Sequence, residues 1–276
     1  MTTTAPTSPA VPLYPESQRI QLPSRGVLYE GKLPDGWVNI RPFSTDEMEL
    51  LVSPRGDRFE LLNEVIDACL LSREVPLQDM LSGDRMFLLL QIRQLTVGSD
   101  YAVQLPCRGC QGTVMINLSL EKDLSIRALE ETDQEPFECL LPVCGKKLGL
   151  RLLRVKDEAA ILRYAARPSA VSNRKDPSYK YRLACCIATI DGSAVDVMTA
   201  LRLIETPLHG RDSLVLERTY EKHDCGPDMI LTTVCPRCSA SMKDLIPLTD
   251  EFFRPQLGPA LDGSGGSEPV PQRGDG

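Results

Sequence analysis

The chain has 276 residues, a net charge of −7 and a pI near 5.1. Its charged fraction of 25% and apolar fraction of 42% are close to globular averages, which excludes a wholly disordered or collagen-like chain. No uncharged apolar run reaches 18 residues, and the first residues have neither a basic nor an apolar signal region, so we expect no membrane span and no secretory signal. The acidic balance makes nucleic acid an unfavoured partner, and only two histidines occur, which leaves little room for a histidine-centred catalytic site.

Both ends of the chain are rich in small residues and proline. We predict disordered tails at 1–17 and 255–276, because neither can bury enough apolar surface to offset chain entropy. Between the tails, similar landmarks occur twice in the same order, which predicts an internal duplication with repeats at 18–129 and 137–254. The segment 130–136, with Glu130, Glu131, Asp133 and Glu135, is predicted to be a solvated acidic linker rather than a pair of catalytic carboxylates.

The first repeat opens with IQLPSRG and continues with a predicted strand in WVNIRPF. A helix start follows in STDEMELL, where Ser44 or Thr45 is the candidate N-cap and Glu47 lies in the first turn. The pattern then predicts a helix in FELLNEVIDACLLS, the segment PLQDMLSGDRMFLLLQIRQL with apolar residues at helical spacing, and a strand in YAVQLP.

The second repeat opens with CLLPVCG and predicts a strand in KLGLRLL and helices in KDEAAILRY and YKYRLACCIATI. The stretch MTALRLIETPLHGRDSLVLERTY and a strand in MILTTV complete it. The predicted fold class is therefore α+β, with two related halves of short strands and two or three helices, each half ending in a Cys-x-x-Cys β-hairpin. The predicted core residues of the helices are Leu61, Leu62, Val65, Ile66, Cys69, Phe87, Leu88, Leu90, Ile92, Leu201, Leu203 and Ile204.

Ten cysteines in a chain without an export signal are expected to be buried thiols or metal ligands rather than disulfides. Cys69, Cys185 and Cys186 lie in apolar, helix-like runs and are predicted to be buried. The other informative cysteines form two C-x2-C pairs, each at a turn between strand-like segments: Cys107 with Cys110, and Cys235 with Cys238.

Four thiolates are enough to close a tetrahedral structural zinc site with no open position for water. The 124 residues between the two pairs are too many for a local zinc ribbon, so the shared site must form by apposing the two halves. Because metal binding is coupled to folding, such a zinc would tie one half to the other.

Three alternatives remain open from the sequence. Two local sites are possible by number, one combining Cys107 and Cys110 with Cys139 and Cys144, the other combining His223 and Cys225 with Cys235 and Cys238. The chain could also bind no metal. A redox role is the third alternative, but a thioredoxin-like pair sits at a helix N-terminus, whereas both motifs here run into strand-like sequence.

No other catalytic motif is present: GxGxxG after a strand, GxxxxGK[ST], GxSxG and HExxH are all missing. A basic stretch flanks two prolines and could form a partner or phosphate surface, although a solvated polar loop is the preferred interpretation. Its basic residues are Arg163, Arg167, Arg174, Lys175, Lys180 and Arg182.

Two segments of the first half carry a family resemblance. The opening IQLPSRGVLYEGKLPDGWVNIRPFSTDEMELL combines L-P-S-x-G, a strand, Arg-Pro-aromatic and an acidic helix start. The segment LSGDRMFLLLQIRQLTVGSDYAVQLPCRGCQGTVMINLSL combines G-D-R, R-x-L-T-x-G and a Cys-x-x-Cys hairpin. Together they resemble the T4-like phage baseplate hub assembly family over about residues 18–125. The second half keeps only LPVCGKKLGLRLL, KDE and VCPRC, so the resemblance there is weaker.

The resemblance implies a non-enzymatic component of a contractile phage tail, acting in assembly of the baseplate or its hub. Its implied partners are other baseplate and tail proteins, in an oligomeric assembly. Its implied place is the host cytoplasm during assembly, with presence in the finished virion baseplate left open. The alternative class is a zinc-ribbon module that binds nucleic acid or a polymerase, which needs a basic face with aromatics, and a gel shift with salt-dependent affinity would distinguish it.

Overall fold

The computed structural model describes residues 17–52, 57–167, 176, 178–206 and 208–253. Apart from Ser17, the two predicted tails lie outside the described residues, as do Arg174 and Lys175 of the basic stretch. In the described ranges, no helix is both long and apolar enough to cross a lipid bilayer.

Short helices and antiparallel strands alternate along the chain. The helices are α1 (Thr45–Val52), α2 (Arg58–Cys69), α3 (Ser82–Val97), α4 (Val155–Ala165), α5 (Ser178–Cys185), α6 (Val197–Glu205), α7 (Gly210–His223) and α8 (Asp250–Phe253). The strands are β1 (Gln18–Gln21), β2 (Trp37–Ile40), β3 (Asp100–Pro106), β4 (Thr113–Ser119), β5 (Ile126–Arg127), β6 (Phe137–Leu140), β7 (Lys147–Leu150), β8 (Ile187–Ile190), β9 (Ser193–Ala194), β10 (Gly226–Pro227), β11 (Ile230–Val234) and β12 (Ser241–Leu245).

The strands form small sheets rather than one large one. β1–β2, β3–β4, β5–β10 and β11–β12 are two-stranded antiparallel ladders, and β6-β7-β8-β9 is a four-stranded antiparallel sheet. Helices and small antiparallel sheets together confirm the predicted α+β class. β3 and β11 alternate buried and exposed residues, because one face of each hairpin packs inward and the other meets solvent.

Most predicted elements are present, with one exception in the second half. The run YKYRLACCIATI was predicted to be helical throughout, but α5 ends at Cys185 and Ile187–Ile190 form β8. The prediction was wrong because Ile187 pairs with Leu150 of β7, and β-branched residues pack well on such a pleated surface. The basic stretch is also not simply a loop, since Arg163 lies in α4, and Lys180 and Arg182 lie in α5.

The two halves share one local arrangement of an arginine and a carboxylate. In the first, both guanidinium nitrogens of Arg41 contact the Glu47 carboxylate at 2.8 and 3.1 Å, and the Ser44 N–H donates to that carboxylate at 2.6 Å. In the second, Arg151 contacts the Asp157 carboxylate at 2.7 and 2.8 Å, and the Arg154 N–H donates to it at 2.8 Å. Each pair joins the end of a strand to the first turn of the next helix, and the residue spacing within each set is identical.

The apolar core is continuous across both halves. One cluster of buried residues extends from Ile20 in β1 to Phe253 in α8. Backbone hydrogen bonds also cross between the halves: Ser82 donates to the carbonyl of Leu153, and Val155 donates to the carbonyl of Met80. The two ranges 18–129 and 137–254 therefore pack as one body, and any shared metal is not their only connection.

The acidic segment 130–136 is more structured than a solvated linker. The Glu135 carboxylate accepts the N–H of Leu152 at 2.6 Å and forms an ion pair with Arg154 at 3.3 Å. Asp133 accepts the N–H of Glu130 at 2.8 Å. These contacts give both carboxylates structural partners, and they attach the segment to the start of α4.

Glu47 provides a test of how α1 is anchored. Hydrogen bonds from Arg41 lower the pKa of the Glu47 carboxyl to about 2. Because this folded-state pKa is depressed, ionised Glu47 contributes stability that is present above pH 4.5 and lost as the pH falls toward 2. We expect Glu47→Gln to lower the free energy of unfolding at pH 7 by about 1.5–3 kcal/mol. Urea unfolding across this range should show the difference from the wild type shrinking with acid, and a pH-independent difference would contradict the ion-pair explanation.

Candidate metal centre

Each C-x2-C pair lies in the turn of a β-hairpin, and the two turns have the same geometry. The N–H of Cys107 donates to the carbonyl of Gly112 at 2.8 Å, and the N–H of Cys235 donates to the carbonyl of Ala240 at 2.8 Å. The residue after the second cysteine has a positive φ in both turns, 59° at Gln111 and 58° at Ser239. The hairpin registers also match, since Pro106 pairs with Thr113 and Val234 with Ser241.

The structure brings the four predicted ligands together. The sulfur atoms of Cys107, Cys110, Cys235 and Cys238 all lie within 4.8 Å of one another. The distance from Cys107 to Cys238 is 3.6 Å and that from Cys110 to Cys235 is 3.9 Å. Four sulfurs around a tetrahedral ion with Zn–S bonds of about 2.3 Å would be about 3.8 Å apart. The cluster could therefore hold one metal ion without rearrangement.

The hairpin backbone favours thiolates at this position. The backbone N–H of Cys110 is the main cause that lowers the pKa of the Cys107 thiol to about 6, with a smaller contribution from the N–H of Gly109. The N–H of Arg237 donates to the sulfur of Cys235 at 3.4 Å. Since the thiolate is the form that binds metal, amides directed at sulfur prepare the turn for a cation.

The two turns approach each other so closely that a side chain is excluded at Gly109. A Cβ added there would lie 2.7 Å from the Cβ of Ala240 and 3.1 Å from the sulfur of Cys238. The first turn therefore needs glycine between its cysteines, whereas the second carries Arg237 at the corresponding position.

Gly109→Ala is expected to push the hairpins apart and to weaken metal binding at least several-fold, because the new methyl group meets backbone-fixed atoms. Competition with a chromophoric chelator would measure the change. Gly210→Ala is the matched control, since a Cβ at Gly210 meets nothing within 4 Å. Equal metal affinity in both variants would contradict the close approach of the turns.

The cysteines predicted to be buried are indeed in the core. Cys69, Cys185 and Cys186 are at most 3% exposed. Burial raises the pKa of their thiols, to about 12 for Cys69, 11 for Cys185 and 12 for Cys186. Such thiols stay protonated and act as small apolar side chains.

Cys69→Ala and Cys185→Ala should therefore leave the metal content unchanged and lower the free energy of unfolding by about 1–2 kcal/mol, through lost packing alone. Elemental analysis and urea unfolding of each variant give both quantities. Metal loss in either variant would show that the substituted cysteine contributes to metal binding.

The two local sites considered from the sequence are not formed. Among the described residues, the four cysteines of the two turns are the only group of three or more potential ligands close enough to share an ion. Cys139 is buried and Cys144 exposed. His223 stacks on Phe137 with ring centroids 4.1 Å apart, and burial raises the pKa of the Cys225 thiol strongly. The described residues therefore favour one shared site over two local ones.

Two buried aspartates, neither of them predicted from the sequence, each hold a turn near the start of one half. Asp84 in α3 accepts the N–H of Ser24 at 2.9 Å and the hydroxyl of Tyr29 at 2.6 Å. Asp212 in α7 accepts the N–H groups of Val143 and Cys144 at 2.8 and 3.1 Å. The two aspartates are separated by the same number of residues as Cys107 and Cys235, and that spacing was the available signal.

A protein-family comparison decides the affiliation of the chain. The family described as T4 bacteriophage base plate protein matches residues 26–190, which is more than half of the sequence. The chain belongs to the T4 bacteriophage base plate protein family. The match confirms the resemblance found in the first half and extends it through β8 of the second half.

Only one of the two cysteine turns of this base plate family member lies in the matched range. Cys107 and Cys110 lie inside it, whereas Cys235 and Cys238 lie beyond its end. Comparison with curated proteins gives no match, and comparison with solved structures gives none either.

Proposed function

We propose that this protein is a non-enzymatic structural and assembly component of a contractile phage tail baseplate, in its hub or wedge region. Membership of the base plate family is the observation that carries this function. The protein would act by binding other baseplate and tail proteins, in the host cytoplasm during assembly and in the virion baseplate. Its four clustered cysteines can close around a metal, which suits a structural role.

Cys107, Cys110, Cys235 and Cys238 are the ligands of a single structural zinc ion in this proposal. The all-sulfur donor set and the 3.6 and 3.9 Å sulfur distances support zinc with four protein ligands. When bound, zinc would hold four thiolates at fixed separations and offer no position for substrate. The protein's own contribution is to direct N–H groups at sulfur and to keep Gly109 small.

The proposal includes an internal duplication, with repeats at 18–129 and 137–254. The strand-to-helix ion pairs, the buried aspartates and the cysteine turns occur in the same order in both ranges. The β3–β4 and β11–β12 hairpins have matching registers next to the turns. A duplicated ancestor with one cysteine turn would explain why the cluster takes two ligands from each half.

Metal analysis tests the zinc assignment. The purified protein should contain about one zinc per chain, and Cys235→Ser with Cys238→Ser should abolish it. Cys144→Ser is the control, because Cys144 is an exposed thiol outside the cluster. Two zinc ions per chain, or one zinc retained in the double variant, would contradict the shared site.

Location and partners test the baseplate role. An affinity-tagged copy produced during infection should co-purify with baseplate proteins, and mass spectrometry of purified virions should tell whether the protein stays in the particle. Co-purification with replication or transcription proteins instead, together with a salt-dependent gel shift, would favour the zinc-ribbon alternative.

A further inference from the structure

Two helix pairs at corresponding places in the two halves carry opposite charge. Residues 44–79, which contain α1 and α2, have nine acidic residues and three arginines. Residues 159–182, which contain the end of α4 and most of α5, have six basic residues and one acidic residue. In a chain with net charge −7, this is a strong segregation of charge between two segments of the sequence.

The acidic surface contains an open groove of about 520 Å³. Its floor includes the buried apolar residues Val75, Leu77 and Val155, and its rim carries Glu60, Glu64 and Asp67 on one side of α2. Asp67 is paired with Arg73 at 2.7 Å, whereas the described residues place no cation within 4.0 Å of the Glu60 or Glu64 carboxylates. Glu60 interacts electrostatically with the buried Arg85 behind it. This acidic groove therefore combines an apolar floor with a rim whose negative charge is only partly compensated.

Asn63 on the wall of the acidic groove offers a directed polar contact. Its Oδ1 accepts the Nε–H of the buried Arg85 at 2.5 Å, and its amide nitrogen can donate to a further acceptor. One guanidinium nitrogen of Arg85, behind this wall, has no hydrogen-bond partner among the described residues. A second chain that enters the groove could therefore place its cationic side chains against the acidic rim and accept a hydrogen bond from the Asn63 amide.

The basic surface presents the complementary set of side chains. Arg163 lies in α4 and Arg167 just after its end, whereas Lys180 and Arg182 lie in α5. All four side chains are exposed. On the same two helices Tyr179 is 44% exposed, with its hydroxyl donating to Glu217 of α7, and Leu162 is 43% exposed. Tyrosine and arginine are enriched at protein interfaces, and an exposed aromatic side chain with flanking cations fits an apolar floor with an acidic rim.

We propose that a second copy of this chain binds here, with the basic α4–α5 surface of one copy docked in the acidic groove of the next. One copy cannot satisfy both surfaces itself, because α4 begins at the groove with Val155 and reaches Arg163 about 12 Å further on. The contact joins two different surfaces, so it is head-to-tail and leaves a free groove and a free basic surface at the ends of each oligomer. It depends on neither the zinc nor the baseplate assignment.

Charge reversal tests this contact. One variant, Glu60→Lys with Glu64→Lys, makes the groove basic; the other, Arg163→Glu with Lys180→Glu, makes the helix surface acidic. Each alone then has two like-charged surfaces and should self-associate at least about tenfold more weakly than the wild type in sedimentation at low salt. An equimolar mixture should associate again, because each variant's groove is complementary to the other's helices. High salt should dissociate the wild type.

Controls keep the test independent of net charge and folding. Glu121→Lys with Glu130→Lys, and Lys122→Glu with Lys222→Glu, change the net charge equally at exposed positions and should associate like the wild type. In the unmodified protein, carbodiimide cross-linking of isotope-mixed copies should join Lys180 of one copy to Glu60 or Glu64 of another, which needs no variant. A monomeric wild type at low salt, a mixture that stays monomeric, or cross-links from Lys180 only to other acids would overturn the proposal. So would a basic surface that binds DNA or a different protein while the chain remains monomeric.

Discussion

Replacing Cys107 and Cys110 by serine should remove the bound metal and release the β3–β4 and β11–β12 hairpins from each other, while leaving most of the helical core folded. Two of four thiolates are then missing, and the remaining pair cannot complete a tetrahedral site. A structural zinc contributes on the order of 10 kcal/mol in isolated fingers, against a total stability of roughly 5–15 kcal/mol for a typical domain. We expect a loss of several kcal/mol, because the shared core limits how far the two halves separate.

Hydrogen exchange of the wild type and the double variant measures this effect directly. Protection should fall first in β3, β4, β11 and β12, whereas α2 and α3, which pack in the common core, should keep theirs. Proteolysis should begin in the turns around 108–112 and 236–240. The segment 130–136 should resist longer, because Glu135 is held by Arg154 and the Leu152 N–H. Unchanged exchange in the hairpins would show that the metal has no structural role.

In a phage background, the same double substitution should block the production of finished tails at the baseplate stage. The physical reason is that the hairpins lose their mutual arrangement, so the surfaces they present to other baseplate proteins are no longer fixed. Electron microscopy of the mutant lysate is the measurement, and wild-type protein supplied from a plasmid should restore tails.

Cys144→Ser provides the matched control for the phage experiment, because it removes an exposed thiol outside the cluster and should leave tails normal. Normal contractile tails with normal baseplates in the double variant would contradict the proposed role in baseplate assembly. Failure of DNA replication or transcription before any tail forms would favour the nucleic-acid alternative instead.

The sequence was sufficient to predict features that depend on contacts between neighbouring residues, or on a characteristic spacing of ligand residues. Ser44 and Glu47 are three residues apart, so their cap could be predicted from short-range rules. The four cysteines could be chosen because two C-x2-C pairs stand at hairpin turns, whereas Cys69, Cys185 and Cys186 lie in apolar runs. The structure separates the same two groups, since the four turn cysteines bring their sulfur atoms within 4.8 Å of one another and the other three lie in the apolar core.

Long-range contacts decided what local rules could not. The run after Cys186 is a strand because β7 offers it a pairing edge, and no local signal shows where that edge lies. Glu135 is held in place by Leu152 and Arg154, which lie just before α4 and are 17 and 19 residues away. The common core of the two halves depends on hydrogen bonds such as that from Ser82 to Leu153, which only the assembled fold reveals.

By itself, the sequence determined the α+β class, the order of landmarks in the two halves and the identity of the four clustered cysteines, because periodicity, capping and turn spacing are properties of neighbouring residues. Only the tertiary structure decided that these cysteines share one centre, that Gly109 must be small and that the halves form one core. Those features depend on the distance between segments that are far apart in the sequence, and local chemistry does not specify that distance.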